Sequence, residues 1–255
     1  NILSRAVLII IITAVFAGCS GRRSAKNEAL AEADTVQVPD TGYTGIKKYF
    51  TNERLFREIT FQNGIRHGEM KTYYQGGQLY QTFWYENGLK EDSAKWYYLE
   101  GPVFRSTPFL HDTIHGTQVQ YYRNGKVKAR LNYIKGLRTP SIEEYTRDGK
   151  PVTNYPDISY KLTDNYSTSG RVRVDLELTN QATKVKFYRG EFFNGVFDTA
   201  RIELIKTANG KAAVELKKST TPQQDYLGII AEIITGFGNK YFAYKKIELP
   251  YRDLK

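Results

Sequence analysis

A pair of adjacent aromatic residues returns every 24 positions along the first half of this chain: Tyr49-Phe50, Tyr73-Tyr74, Tyr97-Tyr98 and Tyr121-Tyr122, with Tyr145 opening a partial fifth unit. A fixed period of this kind means that one supersecondary unit recurs and that neighbouring units bury each other. Other columns keep the step: Gly77, Gly101, Gly125 and Gly149; Leu55, Leu79, Val103 and Val127; Phe61, Tyr85, Phe109 and Tyr133. Asn63-Gly64, Asn87-Gly88 and Asn124-Gly125 tolerate the positive φ of a type I′ turn, so they are expected to close two-residue hairpins. Between turns, Gln78 to Glu86 places Leu79, Phe83 and Tyr85 on one side of a strand. Two turns per unit mean one hairpin per unit. A lone hairpin is marginal, so the hairpins must pair into one elongated antiparallel sheet.

Composition supports an all-β reading. The 255 residues include 20 Tyr and 13 Phe but one Met and one Cys, a balance that favours pleated surface over helix. A mean hydropathy of −0.52 excludes a polytopic membrane protein, and 40% hydrophobic residues exclude a fully disordered chain. The net charge of +10 is spread as excesses of +2, +4 and +4 over residues 1–48, 49–152 and 153–255, with acids interleaved. A nucleic-acid footprint wants clustered basic residues, so no nucleic-acid partner is expected.

The paired aromatics, the glycine three residues on, the Asn-Gly turns and the further His67-Gly68 and His115-Gly116 resemble the bacterial variant of the MORN repeat. The resemblance covers residues 49–152. It implies an array of hairpins acting as an interaction or membrane-associating scaffold, and many bacterial members of the family carry an antitoxin label. Asp92 stands where the second glycine of the pattern falls, and Asp112 replaces a turn glycine. The ladder is therefore expected to bulge near Ser106 to Asp112.

Ahead of the array, Arg5 precedes the apolar run Ala6 to Phe16, too short to span a bilayer as a helix. Phe16-Ala17-Gly18-Cys19 resembles the lipobox of bacterial lipoproteins, with Phe16 where that motif usually has leucine. The resemblance implies a signal peptide over 1–18 and diacylglycerol and acyl chains such as palmitate on Cys19. It thus implies a membrane anchor, and Ser20 after the cysteine implies the outer membrane of a diderm envelope. Residues 19–48 read as the lipidated N-terminus and a polar tether.

After Gly149-Lys150-Pro151 the rhythm stops, and residues 153–255 follow another grammar. Arg171 to Leu178 alternates Val172, Val174, Leu176 and Leu178 with charged residues, the sign of a half-buried strand that Val185 and Phe187 continue. Ile202 to Lys206 and Ala212 to Leu216 flank Asn209-Gly210 as a hairpin, Leu227 to Thr235 reads as an Ile-rich strand, and Ile247 and Leu249 end the last one. Short strands in this number over about a hundred residues suggest a β-sandwich resembling the immunoglobulin fold, without its Cys and Trp hallmarks.

Candidate chemistry is sparse. His67 and His115 share a repeat column and should lie about 19 Å apart, too far for a common metal; His111 lacks further ligands beyond Asp112. These histidines read as turn residues of the repeat. Glu91-Asp92 and Glu143-Glu144 point to opposite faces as strand neighbours and read as solvated charge. Nucleophile elbow, phosphate loop and Cys-His pair are all missing, so neither catalysis, cofactor nor metal is expected. Alternation sends one ring of each tyrosine pair to each face. The column Tyr73, Tyr97 and Tyr121, sharing its face with Lys71 and Lys95, is expected to be the exposed contact surface for a protein partner. The leading expectation is a non-catalytic scaffold of the cell envelope. The alternative is an immunity-type protein that occludes a toxin.

Overall fold

The computed structural model describes residues 41–220 and 225–255. Ten strands build the array: β1 (Gly45–Thr51), β2 (Arg54–Gln62), β3 (Ile65–Tyr73), β4 (Leu79–Glu86), β5 (Leu89–Tyr97), β6 (Val103–Leu110), β7 (Thr113–Ile114), β8 (Gly116–Tyr121), β9 (Val127–Ile134) and β10 (Leu137–Glu144). They pair in chain order as one antiparallel sheet, with the short β7 beside β6. The all-β array of hairpins is thus as expected from the period. Its first strand starts at Gly45, inside the stretch read as tether, and Tyr43 packs edge-on against Phe61 with ring centroids 6.1 Å apart.

Two kinds of turn alternate along the sheet. On one side, two-residue turns at Asn63-Gly64, Asn87-Gly88, His111-Asp112 and Lys135-Gly136 put both residues at positive φ. Asp112 reaches φ 62 without a glycine, since Asp tolerates the left-handed region. The second residue of each also donates its N–H to the neighbouring hairpin: Gly64 to Tyr43, Gly88 to Arg66, Asp112 to Lys90 and Gly136 to Ile114, at 2.7–3.0 Å. Only a backbone N–H at positive φ is required, which explains why aspartate can stand there. On the other side, Gly77, Gly101 and Gly125 carry the positive φ of longer loops. Asn124-Gly125 belongs to this second kind, not to the two-residue turns expected of it. Tyr122 N–H bonds Lys126 O, Gly125 N–H bonds Tyr122 O, and Gly125 alone of the dipeptide has positive φ.

The expected bulge in the middle of the array is a property of every unit. The register shifts between Ile59 and Phe61, between Thr82 and Trp84, and between Arg138 and Ile142. The residues opposite or within these shifts are Gly68, Asp92 and Pro140, which share the 24-residue step with Gly116 at the β7–β8 break. Positive φ at Gly68, Asp92 and Gly116 marks the extra residue of a β-bulge. His67 and His115 therefore flank bulges in mid-hairpin, and only His111 occupies a turn.

The C-terminal part comprises β11 (Ile158–Asn165), the short helix α1 (Tyr166–Ser169), β12 (Arg171–Leu178), β13 (Val185–Arg189), β14 (Glu203–Ile205), β15 (Thr207–Ala208), β16 (Lys211–Lys217), β17 (Tyr226–Ile234) and β18 (Lys240–Glu248). These strands form two four-stranded sheets ordered β11-β12-β16-β15 and β14-β13-β17-β18. Inward residues of both meet in one core, including Val172, Val174 and Leu216 from the first and Phe187, Ile229 and Ile247 from the second, each fully buried. That is a β-sandwich. Two expectations need correction. Val185 and Phe187 do not continue the strand at Arg171; they begin β13 in the opposite sheet. Residues 203–208 do not form one hairpin arm, because β14 pairs with β13 while only Thr207 and Ala208 pair with β16. The chain changes sheet at Lys206, as Greek-key connections demand. The Leu227 strand is as expected, buried on both faces because Ile230 meets Tyr188, Phe197 and Phe242 on the outer side.

Candidate interaction surface

Cross-strand partners lie on the same face of a sheet, so the pairing register sorts the array into two faces. One row runs Lys48, Glu58, Lys71, Thr82, Lys95, Ser106, Val119, Arg130 and Glu143 without a break from β1 to β10. Eight strand spacings make this polar row about 38 Å long. The neighbouring row points the other way: Tyr49, Arg57, Thr72, Gln81, Trp96, Arg105, Gln120, Ala129 and Glu144. That second face also carries the buried Ile59, Met70, Ala94 and Leu131. Arg105 lies 4.0 Å from the Trp96 ring centroid, and burial depresses its pKa.

The sequence-predicted contact residues come together on the polar face. Lys71 and Lys95 stand in the row itself. Tyr73 joins it by donating its hydroxyl to Glu58 Oε2 at 2.6 Å. Tyr97 and Tyr121 hold the same register position one and two periods later. The three rings are half-buried, however, and not exposed as expected; Lys95 is exposed. Burial first, then the Glu58 carboxylate, pushes the Tyr73 phenol up to about 12. In return the Tyr73 hydroxyl holds Glu58 below the ordinary carboxylate value. A hydrogen bond to Glu69, 2.9 Å away, raises the Lys71 ammonium.

The second tyrosine of each pair is a staple. Tyr74 donates to Tyr97 O at 2.8 Å, Tyr98 to Tyr121 O at 2.9 Å and Tyr122 to Tyr145 O at 2.7 Å. Each hydroxyl thus clips one repeat to the next, and burial raises the phenols of Tyr74 and Tyr122. Phe50, in the first unit, has no hydroxyl with which to do this. The 24-residue column was visible in the sequence; its hydrogen-bonding role was not.

Glu144 is where the sequence reading fails outright. Glu143 is solvated, facing Arg130, but Glu144 is 1% exposed. Its Oε1 accepts from Thr235 Oγ1 and Asn239 Nδ2, both at 2.7 Å, and its Oε2 from the Tyr155 hydroxyl at 3.1 Å. Asn239 Oδ1 accepts in turn from Gln120 Nε2 at 2.8 Å, and Arg138 Nη2 donates to Lys240 O at 3.1 Å. The hairpin loop between β17 and β18 is therefore docked on the packed face at the last strands of the array, within one compact unit. Burial and this carboxylate raise the Tyr155 phenol. No local pattern distinguishes a solvated Glu-Glu pair from one whose second member meets a loop about ninety residues away.

The remaining candidates are structural. Glu91 accepts the His111 N–H at 3.0 Å and faces His111 Nδ1 at 3.5 Å, bracing a turn. His115 Nδ1 accepts from Lys135 N–H at 3.4 Å. Among the described residues no three His, Cys, Asp or Glu side chains converge as a metal cluster, and no helix is long and apolar enough to cross a membrane. Cys19, the signal segment and most of the tether lie outside the described residues.

The fold thus defines a β-repeat protein with one face that carries the buried apolar residues, one polar face and a sandwich whose loop docks at the last strands. Within it, residues 66–87 and 114–135 match the family described as MORN repeat variant. The two segments start 48 residues apart, two periods of the array, and each includes a His-Gly bulge. The unit between them carries Asp92 at that position. No curated protein matches the chain.

Proposed function

We propose that this protein is a non-catalytic scaffold of the cell envelope, anchored through lipid on Cys19, which holds a protein partner on the polar face of its array. The observation that supports this most is the asymmetry of the two faces. One carries the buried apolar residues and the Glu144 joint, whereas the row from Lys48 to Glu143 is mostly polar and exposes Lys48, Lys95, Arg130 and Glu143. Lys71, Lys95, Tyr73, Tyr97 and Tyr121 lie at its centre and would carry the contact. The matched repeats support an interaction role without specifying a partner.

The test places a photo-crosslinking amino acid at Lys95, or at Arg173 on the exposed side of the sandwich, in the native envelope. Crosslinks are expected from position 95 and not from 173. They should vanish when Tyr73, Tyr97 and Tyr121 are replaced together by serine in a variant that still folds. Equal yields from both positions, or crosslinks that survive the triple replacement, would sink the reading. For the anchor, Cys19→Ser should abolish labelling by radioactive palmitate; label remaining on the variant would remove it.

A further inference from the structure

The two ends of the array are finished differently. Beyond β10, Tyr145 bridges to Pro151, Val152 N–H bonds Glu144 O, and the Tyr122 hydroxyl caps Tyr145 O. At the other end β1 pairs with β2 on one side only, and among the described residues its outer side receives a single bond, from the Tyr43 hydroxyl to Ile46 O at 3.0 Å. The turn at Asn52-Glu53 makes Thr51 and Arg54 the closing pair of the hairpin. Strand alternation then turns the backbone groups of Ile46, Lys48 and Phe50 outward. Apart from Ile46 O, these donors and acceptors have no partner among the described residues, and such a row is a template for another strand.

The side chains along this edge specify what fits. Ile46 and Phe50 are 58% and 61% exposed, with Lys48 between them on the same face. The polar row begins Lys71, Glu58, Lys48, alternating in sign, and Lys48 lies 3.5 Å from Glu58. The next position outward completes the alternation only if it is acidic. A second copy of β1 fits poorly, since antiparallel pairing about its centre sets Lys48 of one copy opposite Lys48 of the other, and like charges directly opposite are destabilising.

We propose that the outer edge of β1 accepts an extended segment of a partner protein, with an acidic residue opposite Lys48 and apolar residues two positions to either side, against Ile46 and Phe50. This inference rests on the scaffold reading and gives it a partner chemistry, while using the sheet edge and not the polar face.

The probe is a fluorescent seven-residue peptide with valine at its second and sixth positions, glutamate at the fourth and threonine elsewhere; a control has lysine at the fourth. Titrated into the full chain in detergent, the glutamate peptide should bind several-fold more tightly than the control. It should also slow hydrogen exchange at the amides of Lys48 and Phe50. Lys48→Pro removes one outward N–H and no backbone bond to β2, so binding should be lost while thermal stability falls no further than in Lys48→Ala, which also lacks the contact with Glu58. Lys48→Glu keeps the backbone and should reverse the preference between the two peptides, which decides the matter if the proline variant does not fold. Equal affinity for both peptides, absence of saturable binding, or no reversal with Lys48→Glu would overturn the proposal. So would a dimer that Lys48→Pro dissolves, which would give the edge to a second copy. Peptide binding should survive the triple tyrosine replacement. If the peptide fails while crosslinks at position 95 persist, the edge proposal falls alone and the scaffold reading stands.

Discussion

The array and the sandwich solve the same problem in different ways. In the sandwich two sheets face each other, and burial of apolar side chains between them is the main stabilising term. Leu176, Leu178, Leu216, Ile229 and Ile247 are all within 2% of complete burial. In the array most of the sheet has no described second layer, and its apolar cluster reduces to Ile59, Phe61, Met70 and Tyr85 with a few half-buried rings. What recurs there instead is hydrogen bonding between units: the tyrosine hydroxyl on the next carbonyl, and the turn N–H on the neighbouring hairpin. A single sheet is thus held by many modest bonds repeated along its length, a sandwich by one shared core.

Substitution in the sandwich core should have the largest effect. Leu216 is 0% exposed, and Leu216→Ala leaves a cavity that the two sheets cannot close, costing about 2–5 kcal/mol. The measurement is chemical denaturation followed by near-ultraviolet circular dichroism. A loss below about 1 kcal/mol would contradict a shared core.

The next effect lies at the boundary between the two regions. Glu144→Ala leaves Thr235, Asn239 and Tyr155 without their acceptor, and hydrogen bonds to a charged group contribute about 1.5–3 kcal/mol each. Calorimetry should show lower stability and a broader or divided transition, as array and sandwich lose their coupling. An unchanged, sharp transition would mean that the joint does not link them.

Removing one staple should cost less. Tyr98→Phe keeps the ring beside Phe104 and deletes only the hydroxyl on Tyr121 O, for about 0.5–1.5 kcal/mol. The same substitution at Tyr122 should behave alike if the array is a ladder of equivalent bonds. A marked difference between them would break the description of the units as equivalent.

The comparison also explains what could be read from the chain. The 24-residue columns and the alternation at Val172 to Leu178 are local patterns with a direct steric cause, so sheet and sandwich were both legible. Asn124-Gly125 was not, because the same dipeptide suits a two-residue turn or the end of a longer loop, and the difference lies in the Tyr122–Lys126 pairing across it. The sheet change at Lys206 was hidden for a similar reason: two short strands separated by one residue look like one. Glu144 was illegible because two of its three partners, Thr235 and Asn239, come from a loop that is distant in sequence. On the candidate surface, the face shared by Lys71, Lys95 and the first tyrosines was legible from alternation. Their half-burial was not, since it depends on neighbours such as Glu58 across the sheet.

The smallest effect concerns that same pair and is read by pH. Glu58 titrates below the ordinary carboxylate value of 4.5 in the folded chain, chiefly because the Tyr73 hydroxyl donates to it, and the Lys48 and Lys71 ammonium groups add to the effect. A carboxylate depressed by folding contributes stability that is fully present above the unfolded value and is lost as pH falls through the folded one. Tyr73 works in the opposite direction: its phenol rises from 10.0 to about 12, so its contribution is present below 10.0 and is lost as pH climbs toward 12. Thermal melts of the array should therefore weaken at both ends, below about pH 4.5 and above about pH 10. Glu58→Gln should flatten the acid limb of the melting profile. Tyr73→Phe should remove the alkaline contribution of this pair and part of the acid one, because the donor that depresses Glu58 is gone. If neither variant changes either limb, the 2.6 Å bond does not stabilise the array in solution, and the polar face is free to rearrange when a partner binds.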